Sequence, residues 1–226
     1  MRAFLLAAGR GTRLGSLTEK VPKCLVPIRG EPLLDIWVRR LSEAGFREVR
    51  LNTHHLAHIV EAHVANARYP IAVTTHYEHE LLGTAGTLAQ HREWLESSDV
   101  LIAHADNFSM FDIRDFVRAH RSRPSKTIMT MLAFRTPTPE SCGILEVDSG
   151  HILQNMWEKS REDHGTLANA AIYLTTAELI PYLDNAFDLS TDVIPRLLGQ
   201  IFVSETHLTH IDIGTPESLS LAQKAT

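Results

Sequence analysis

Cysteine is scarce: the 226-residue chain has two, Cys24 and Cys142, with no CxxC spacing. That excludes a disulfide framework and a cysteine-rich zinc site, and it fits reduced thiols in a cytoplasmic protein. Positive charge is not in excess. Lys and Arg number 22 against 27 Asp and Glu, a net charge of −5, so no basic field points to nucleic acid. No apolar run approaches the length of a membrane span, so no membrane partner is expected. The first strand begins almost at once, and no signal peptide is expected. Thirteen histidines are present without an HExxH motif, and they read as surface or helix-cap residues. No Gly-Lys pair occurs anywhere, which removes the P-loop GxxxxGK[ST].

What is present is a glycine-rich loop. Leu5-Leu6-Ala7-Ala8-Gly9-Arg10-Gly11-Thr12-Arg13-Leu14 is followed by Pro22-Lys23. An apolar strand thus runs into glycines that leave backbone N–H groups open to a phosphate, with Arg13 and Lys23 supplying charge. A dinucleotide-binding GxGxxG needs a third glycine and a helix directly after it. Leu14 stands in the glycine's place, and Pro22 and Pro27 forbid one continuous helix.

Strand-like runs at 3–7, 48–52, 71–75, 100–103 and 127–134 alternate with helical patterns at 32–44, 56–67, 84–95 and 112–120. Helix 32–44 has Pro32 in its first turn, apolar Leu33, Leu34, Trp37, Val38 and Leu41, and Gly45 just beyond. The alternation predicts an α/β fold with a mostly parallel sheet and helices on both faces. After the breaker Thr136-Pro137-Thr138-Pro139, shorter strands at 143–147, 152–157 and 170–174 suggest an α+β elaboration. A helix at 192–198, a strand ending at Asp212-Ile213 and a last helix from Pro216 complete the reading. Thr215 is expected as the N-cap of that helix, with Glu217 in its first turn. Met129 and Met131 alternate as core residues, and Arg118, Arg121, Arg123 and Lys126 read as a solvated run.

From Gly9 to Val26 the chain resembles the signature of the sugar-1-phosphate nucleotidylyltransferases, roughly GxGTRLxPLTxxxPKxxxxV, with Ser16 where the family usually has proline. Further segments are similar in family order: Leu82-Gly83-Thr84-Ala85-Gly86, Ala105-Asp106-Asn107, Cys142-Gly143-Ile144, Trp157-Glu158-Lys159, Asn169-Ala170-Ala171-Ile172-Tyr173 and Asp212-Ile213-Gly214-Thr215-Pro216-Glu217. Ala105 and Ala171 replace glycines usual in the family, and Ser160 replaces a proline. The resemblance implies a three-layer α/β/α, Rossmann-like nucleotidyltransferase fold with a small acceptor-binding elaboration. It implies one domain over 1–226, with 1–134 mainly nucleotide-binding and 135–226 mainly sugar-phosphate-binding.

The implied reaction is attack of a sugar 1-phosphate oxygen on the α-phosphorus of an NTP, with pyrophosphate leaving. Positioning and charge neutralisation carry such chemistry. The nucleotide candidates are Ala7, Ala8, Gly9, Gly11, Thr12, Arg13, Lys23, Gly83 and Thr84. Arg13 is expected on the β- and γ-oxygens and Lys23 nearer the α-phosphate. Asp106 and Asp212, each ending an apolar strand, are the implied Mg²⁺ pair. Arg13, Lys23 and Asp106 are the catalytic candidates. Asn107, Gly143, Glu158, Lys159 and Asn169 are the sugar-phosphate candidates, with the Gly143 N–H expected to approach the sugar. Short length and the LGTAG segment lean toward guanylyl transfer to mannose- or heptose-1-phosphate. A uridylyltransferase for an amino-sugar 1-phosphate, such as N-acetylmuramate 1-phosphate, and a non-catalytic sugar-nucleotide sensor are the alternatives. A homo-oligomer is left open.

Overall fold

The computed structural model describes residues 1–225. In chain order its main elements are β1 (Arg2–Leu6), α1 (Leu33–Glu43), β2 (Glu48–Thr53), α2 (Ala57–Asn66), β3 (Ala72–Tyr77), α3 (Gly83–Gln90), α4 (Arg92–Leu95), β4 (Val100–His104) and β5 (Asn107–Ser109). There follow α5 (Ile113–Arg121), β6 (Met129–Arg135), β7 (Gly143–Val147), β8 (Leu153–Glu158), β9 (Leu167–Thr175), β10 (Ile201–Glu205), β11 (His210–Asp212) and α6 (Pro216–Lys224). The fold is α/β with a mostly parallel central sheet, as expected. Two compact units divide it. The first joins Met1–Leu81, Ala103–Ile113 and Thr209–Thr226; the second joins Leu82–Ile102 and Arg114–Leu208.

In the first unit β2 pairs in parallel with β1 (Leu5↔Leu51) and with β3 (Leu51↔Thr75). Ala3, Phe4 and Leu5 are fully buried, as are Val49 and Leu51. α1 buries Leu33, Leu34, Ile36, Trp37, Val38 and Leu41. This is the apolar stripe read from the sequence, with Ile36 added. Pro32 is the cap residue (φ −54°, ψ 137°), not part of the first turn, and its extended ψ starts the helix at Leu33. Gly45, at φ +88°, closes the other end, where its N–H meets Ser42 O at 2.9 Å. β5 and β11 form a short antiparallel ladder that sets Asp212 opposite Asn107. α6 opens with the expected Thr215 cap, completed by Ser218 as a capping box.

In the second unit β7 lies between β8 and β9, both antiparallel to it. β9 pairs antiparallel with β6, and β6 pairs in parallel with β10. Met129 and Met131 are fully buried, as expected. Three local readings are corrected. The helix expected at 84–95 is two helices, because His91 (φ −106°, ψ 22°) leaves helical space. The helix expected at 192–198 is a single π turn, Leu189–Val193, capped by Asp188, followed by a 3-10 turn, Ile194–Leu197. Pro195 has no N–H to continue an α-helical ladder. The strand at 201–205 has no counterpart in the sequence reading, although Ile201 and Val203 alternate inward.

Candidate active site

The nucleotide-side and metal candidates, Gly83 and Thr84 excepted, sit in the first unit; Asp212 ends β11 of the antiparallel β5–β11 pair, and the glycine-rich loop leaves the carboxyl edge of the parallel strands β1 and β2. Such edges are where open α/β sheets bind ligands. β1 ends at Leu6 and releases the glycine-rich loop. Gly11 adopts φ +63°, and a Cβ there would lie 2.9 Å from the Thr18 side chain. Thr18 Oγ1 donates to Gly11 O at 2.9 Å and so ties the loop back on itself. Gly9 is exposed, with nothing within 4 Å of where a Cβ would stand.

Asp106 is placed by the turn after β4. The preceding Ala105 N–H donates to Leu6 O at 2.9 Å, and Asp106 O accepts from Ile213 N at 3.2 Å. Asp212 ends β11 one ladder step away. Lys23, whose side chain is 8% exposed, brings the two acids together. Its Nζ lies 2.5 Å from Asp106 Oδ2 and 2.8 Å from Asp212 Oδ1. Arg13, largely in solvent, reaches Asp212 Oδ2 at 3.3 Å. Gly214 makes room for this pair, since a Cβ there would stand 2.7 Å from the Arg13 guanidinium and 3.0 Å from Asp212 Oδ2.

Burial alone raises the Asp212 carboxyl, but Lys23 and Arg13 outweigh it and hold the group below the usual carboxylate value. Burial pushes the Cys24 thiol up to about 12, with the Asp106 charge adding to it, so Cys24 is an inert protonated thiol. Burial likewise lowers His210 to about 4, and its Nδ1 lies 3.1 Å from Ser109 Oγ.

One oxygen of each aspartate therefore converges on a single cationic point. Two hard carboxylate oxygens suit Mg²⁺, which completes its shell with phosphate oxygens and water. Among the described residues no group of three or more His, Cys, Asp or Glu side chains forms a metal cage. A metal held here would be shared with the substrate.

Two residues behind the loop escaped the sequence reading. Asn52 Oδ1 accepts from Ala7 N–H at 2.7 Å, and Asn52 Nδ2 donates to Glu78 Oε1 at 2.9 Å. Both side chains belong to buried residues at the carboxyl ends of β2 and β3. The Ala7 N–H is thereby engaged within the protein. A polar residue closing an apolar strand, the signal that pointed to Asp106, would have found Asn52.

The remaining candidates lie in the second unit. Gly143 pairs with Glu158 across β7 and β8. A Cβ at 143 would lie 2.7 Å from Glu158 Oε2 and 3.3 Å from Met156 Sδ. The glycine thus accommodates the carboxylate, a role distinct from the expected approach of its N–H to a sugar. Lys159 is exposed at φ +51°, its N–H on Cys142 O at 2.9 Å and its Nζ 3.8 Å from Glu158 Oε1. Asn169 Oδ1 accepts from Ala171 N–H, and its Nδ2 donates to Tyr173 OH, both at 2.8 Å. Nδ2 also donates to Met156 Sδ at 3.9 Å, so the further bonding capacity of that amide lies on Oδ1. Gly83 (φ +73°) and Thr84 are also in this unit, against Phe187 and Asp188. Asn107, by contrast, is buried in β5 of the first unit, its carbonyl accepting from Trp37 Nε1 at 2.9 Å.

The family model described as nucleotidyl transferase matches residues 2–226. The mannose-1-phosphate guanylyltransferase catalytic subunit beta of Xenopus tropicalis is 29% identical over 224 residues, which cover 96% of this chain and 62% of that protein. A UTP–glucose-1-phosphate uridylyltransferase of Synechocystis is 27% identical over 235 residues, covering 95% of this chain and 60% of that one. The chain spans about three fifths of the length of these curated relatives. Among solved structures, HddC from Yersinia pseudotuberculosis superposes with a TM-score of 0.83 at 24% identity, covering 99% of this chain and 98% of that one. HddC has also been solved in complex with GMP-PN. At that identity the likeness is one of fold.

Proposed function

The chain belongs to the nucleotidyl transferase family, and from that premise we propose that it transfers a nucleotidyl group from an NTP to a sugar 1-phosphate, releasing pyrophosphate. The observation that carries the proposal is Lys23 Nζ held between Asp106 and Asp212, beside the glycine-rich loop at the carboxyl edge of a parallel sheet.

In this reading the open backbone around Gly9, Gly11 and Thr12 receives the triphosphate. Arg13 shifts from Asp212 to the β- and γ-oxygens, where its planar fork fits. Lys23 is a compact charge for the α-phosphate, where negative charge grows in the transition state. Asp106 and Asp212 would hold Mg²⁺, which when bound neutralises phosphate charge and screens the leaving pyrophosphate. In the second unit, Glu158 and Asn169 offer hydrogen bonds to sugar hydroxyls and Lys159 a charge to the sugar phosphate. No protein acid or base is required, because the attacking phosphate oxygen is already anionic.

The guanylyl reading, with mannose- or heptose-1-phosphate as acceptor, is supported by the mannose-1-phosphate guanylyltransferase relatives. The Synechocystis relative keeps uridylyl transfer as the second reading. A matrix of the common NTPs against several sugar 1-phosphates, scored by Mg²⁺-dependent pyrophosphate release, tests both. Turnover is expected with GTP and mannose or heptose 1-phosphate, and Asp106→Asn should remove most of it with folding intact. No turnover in any pair refutes the proposal in favour of a sensor, and a fully active Asp106→Asn refutes the metal assignment.

A further inference from the structure

Asn169 and Tyr173 are four residues apart on β9, a separation of about 13 Å in a regular strand. They touch because the strand is not regular. Asn169 pairs with Ala133 and Tyr173 with Met131, so four steps on β9 match two on β6. The surplus forms a bulge in which Ala171 takes φ +52°. Bulges of this kind re-aim side chains next to functional sites. Here the bulge turns Asn169 Nδ2 onto the phenol oxygen of Tyr173 at 2.8 Å.

The Tyr173 ring is fully buried. Ser190 lies in the π turn capped by Asp188, whose Oδ1 accepts from Ser190 N at 2.7 Å. The other carboxylate oxygen, Oδ2, accepts from Thr84 Oγ1 at 3.1 Å. Thr84 Oγ1 in turn accepts from Leu189 N at 2.7 Å. The hydroxyl of Thr84 is thus spent inside the protein, and it fixes the first turn of α3. Two separate hydrogen-bonded groups therefore stand in the second unit, Asn169 with Tyr173 and Asp188 with Thr84. Single-turn π segments recur at functional sites, and Asp188 caps this one.

We infer that Tyr173 and Asp188 are positioning residues, Tyr173 aiming Asn169 at the acceptor sugar and Asp188 holding the Gly83–Thr84 turn for the nucleotide. The inference rests on the proposed nucleotidyl transfer. A bulge and a capped turn that merely stabilise the fold would change melting without separating the two substrates.

The test is steady-state kinetics on the whole chain, with folding followed by urea unfolding. Tyr173→Phe keeps the ring and removes one hydrogen bond. The sugar 1-phosphate KM should rise about fivefold, with the NTP KM moving less than about twofold. Asp188→Ser keeps a capping oxygen but loses the grip on Thr84, and it should raise the NTP KM by a similar factor. Tyr173→Leu, which also lacks the phenol oxygen, replaces Tyr173→Phe if the latter does not fold. A wild-type chain without turnover in any substrate pair overturns the proposed function and this inference with it. A wild type that turns over, with both KM values moving together in either variant, overturns this inference alone.

Discussion

Lys23→Met isolates the most concentrated charge arrangement in the protein. The ammonium sits 2.5 Å from Asp106 Oδ2 and 2.8 Å from Asp212 Oδ1. Removing one partner of a fully buried ion pair costs about 3–5 kcal/mol. Here the acids keep 27% and 48% side-chain exposure, so water screens part of the loss. The expected destabilisation at pH 7 is about 1–3 kcal/mol, read as a lower urea midpoint with unchanged slope. The pH dependence follows from the direction of the Asp212 shift. In the wild type Asp212 is held below its ordinary value, so the stability it lends is complete at neutral pH and is lost as pH falls through that lowered value. In the variant Asp212 loses the Lys23 charge that holds it down. The gap between the proteins should therefore begin to close as acid protonates the variant and nearly vanish once Asp212 is protonated in both. Mg²⁺ should restore about 1 kcal/mol to the variant at five times its dissociation constant, because the same two oxygens still converge. Turnover should fall about 10²–10³-fold. Equal midpoints at pH 7, or a gap that stays constant into acid, would refute this account of Lys23.

Three other changes have signs set by the structure. His120 is fully buried with Nδ1 on Thr130 Oγ1 at 2.9 Å, and burial, then Arg123 and Arg121, lower it to about 4. The unfolded chain takes up the proton first, so stability should fall as pH drops from about 6.5 to 4, by at most roughly 3 kcal/mol. His120→Asn should flatten that part of a urea-midpoint profile. Ala171→Gly relieves a left-handed backbone and should raise stability by about 0.5–1 kcal/mol, whereas a lower midpoint would show that the bulge carries no strain. Gly83→Ala puts a methyl 2.2 Å from Phe187 O at φ +73°, and should cost on the order of 2–3 kcal/mol together with a higher NTP KM in the kinetic assay.

The strands of the first unit and their helices were legible because each is an apolar run or stripe with a local stop signal, such as Gly45 after α1 or Thr215 before α6. The two aspartates were found by resemblance and as acids near strand ends, but Asp106 lies in the turn after β4 and Asp212 ends the three-residue strand His210–Asp212, so neither closes an apolar strand as expected. What escaped depends on contacts far apart in the chain. Asn52 meets Ala7 across 45 residues, and Thr84 meets Asp188 across 104. No local period encodes either contact. The π turn was misread as an α-helix because its apolar spacing is helical, while the Asp188 cap and Pro195 decide its geometry. Ala171 stood out by resemblance as an alanine in a glycine position. Its φ of +52° supplies the physical reason a glycine would suit that place.

The first unit is assembled from three separate stretches of chain, and the last of them brings Asp212. Lys23 and Asp212 are 189 residues apart in sequence. During synthesis the glycine-rich loop and Lys23 leave the ribosome long before Asp212 does. Contacts of such long range form only after a large loop-closure entropy has been met, and they slow folding. The charge centre is therefore a late product of folding, and a nascent chain halted before β11 displays a phosphate loop whose lysine has only Asp106 to answer it.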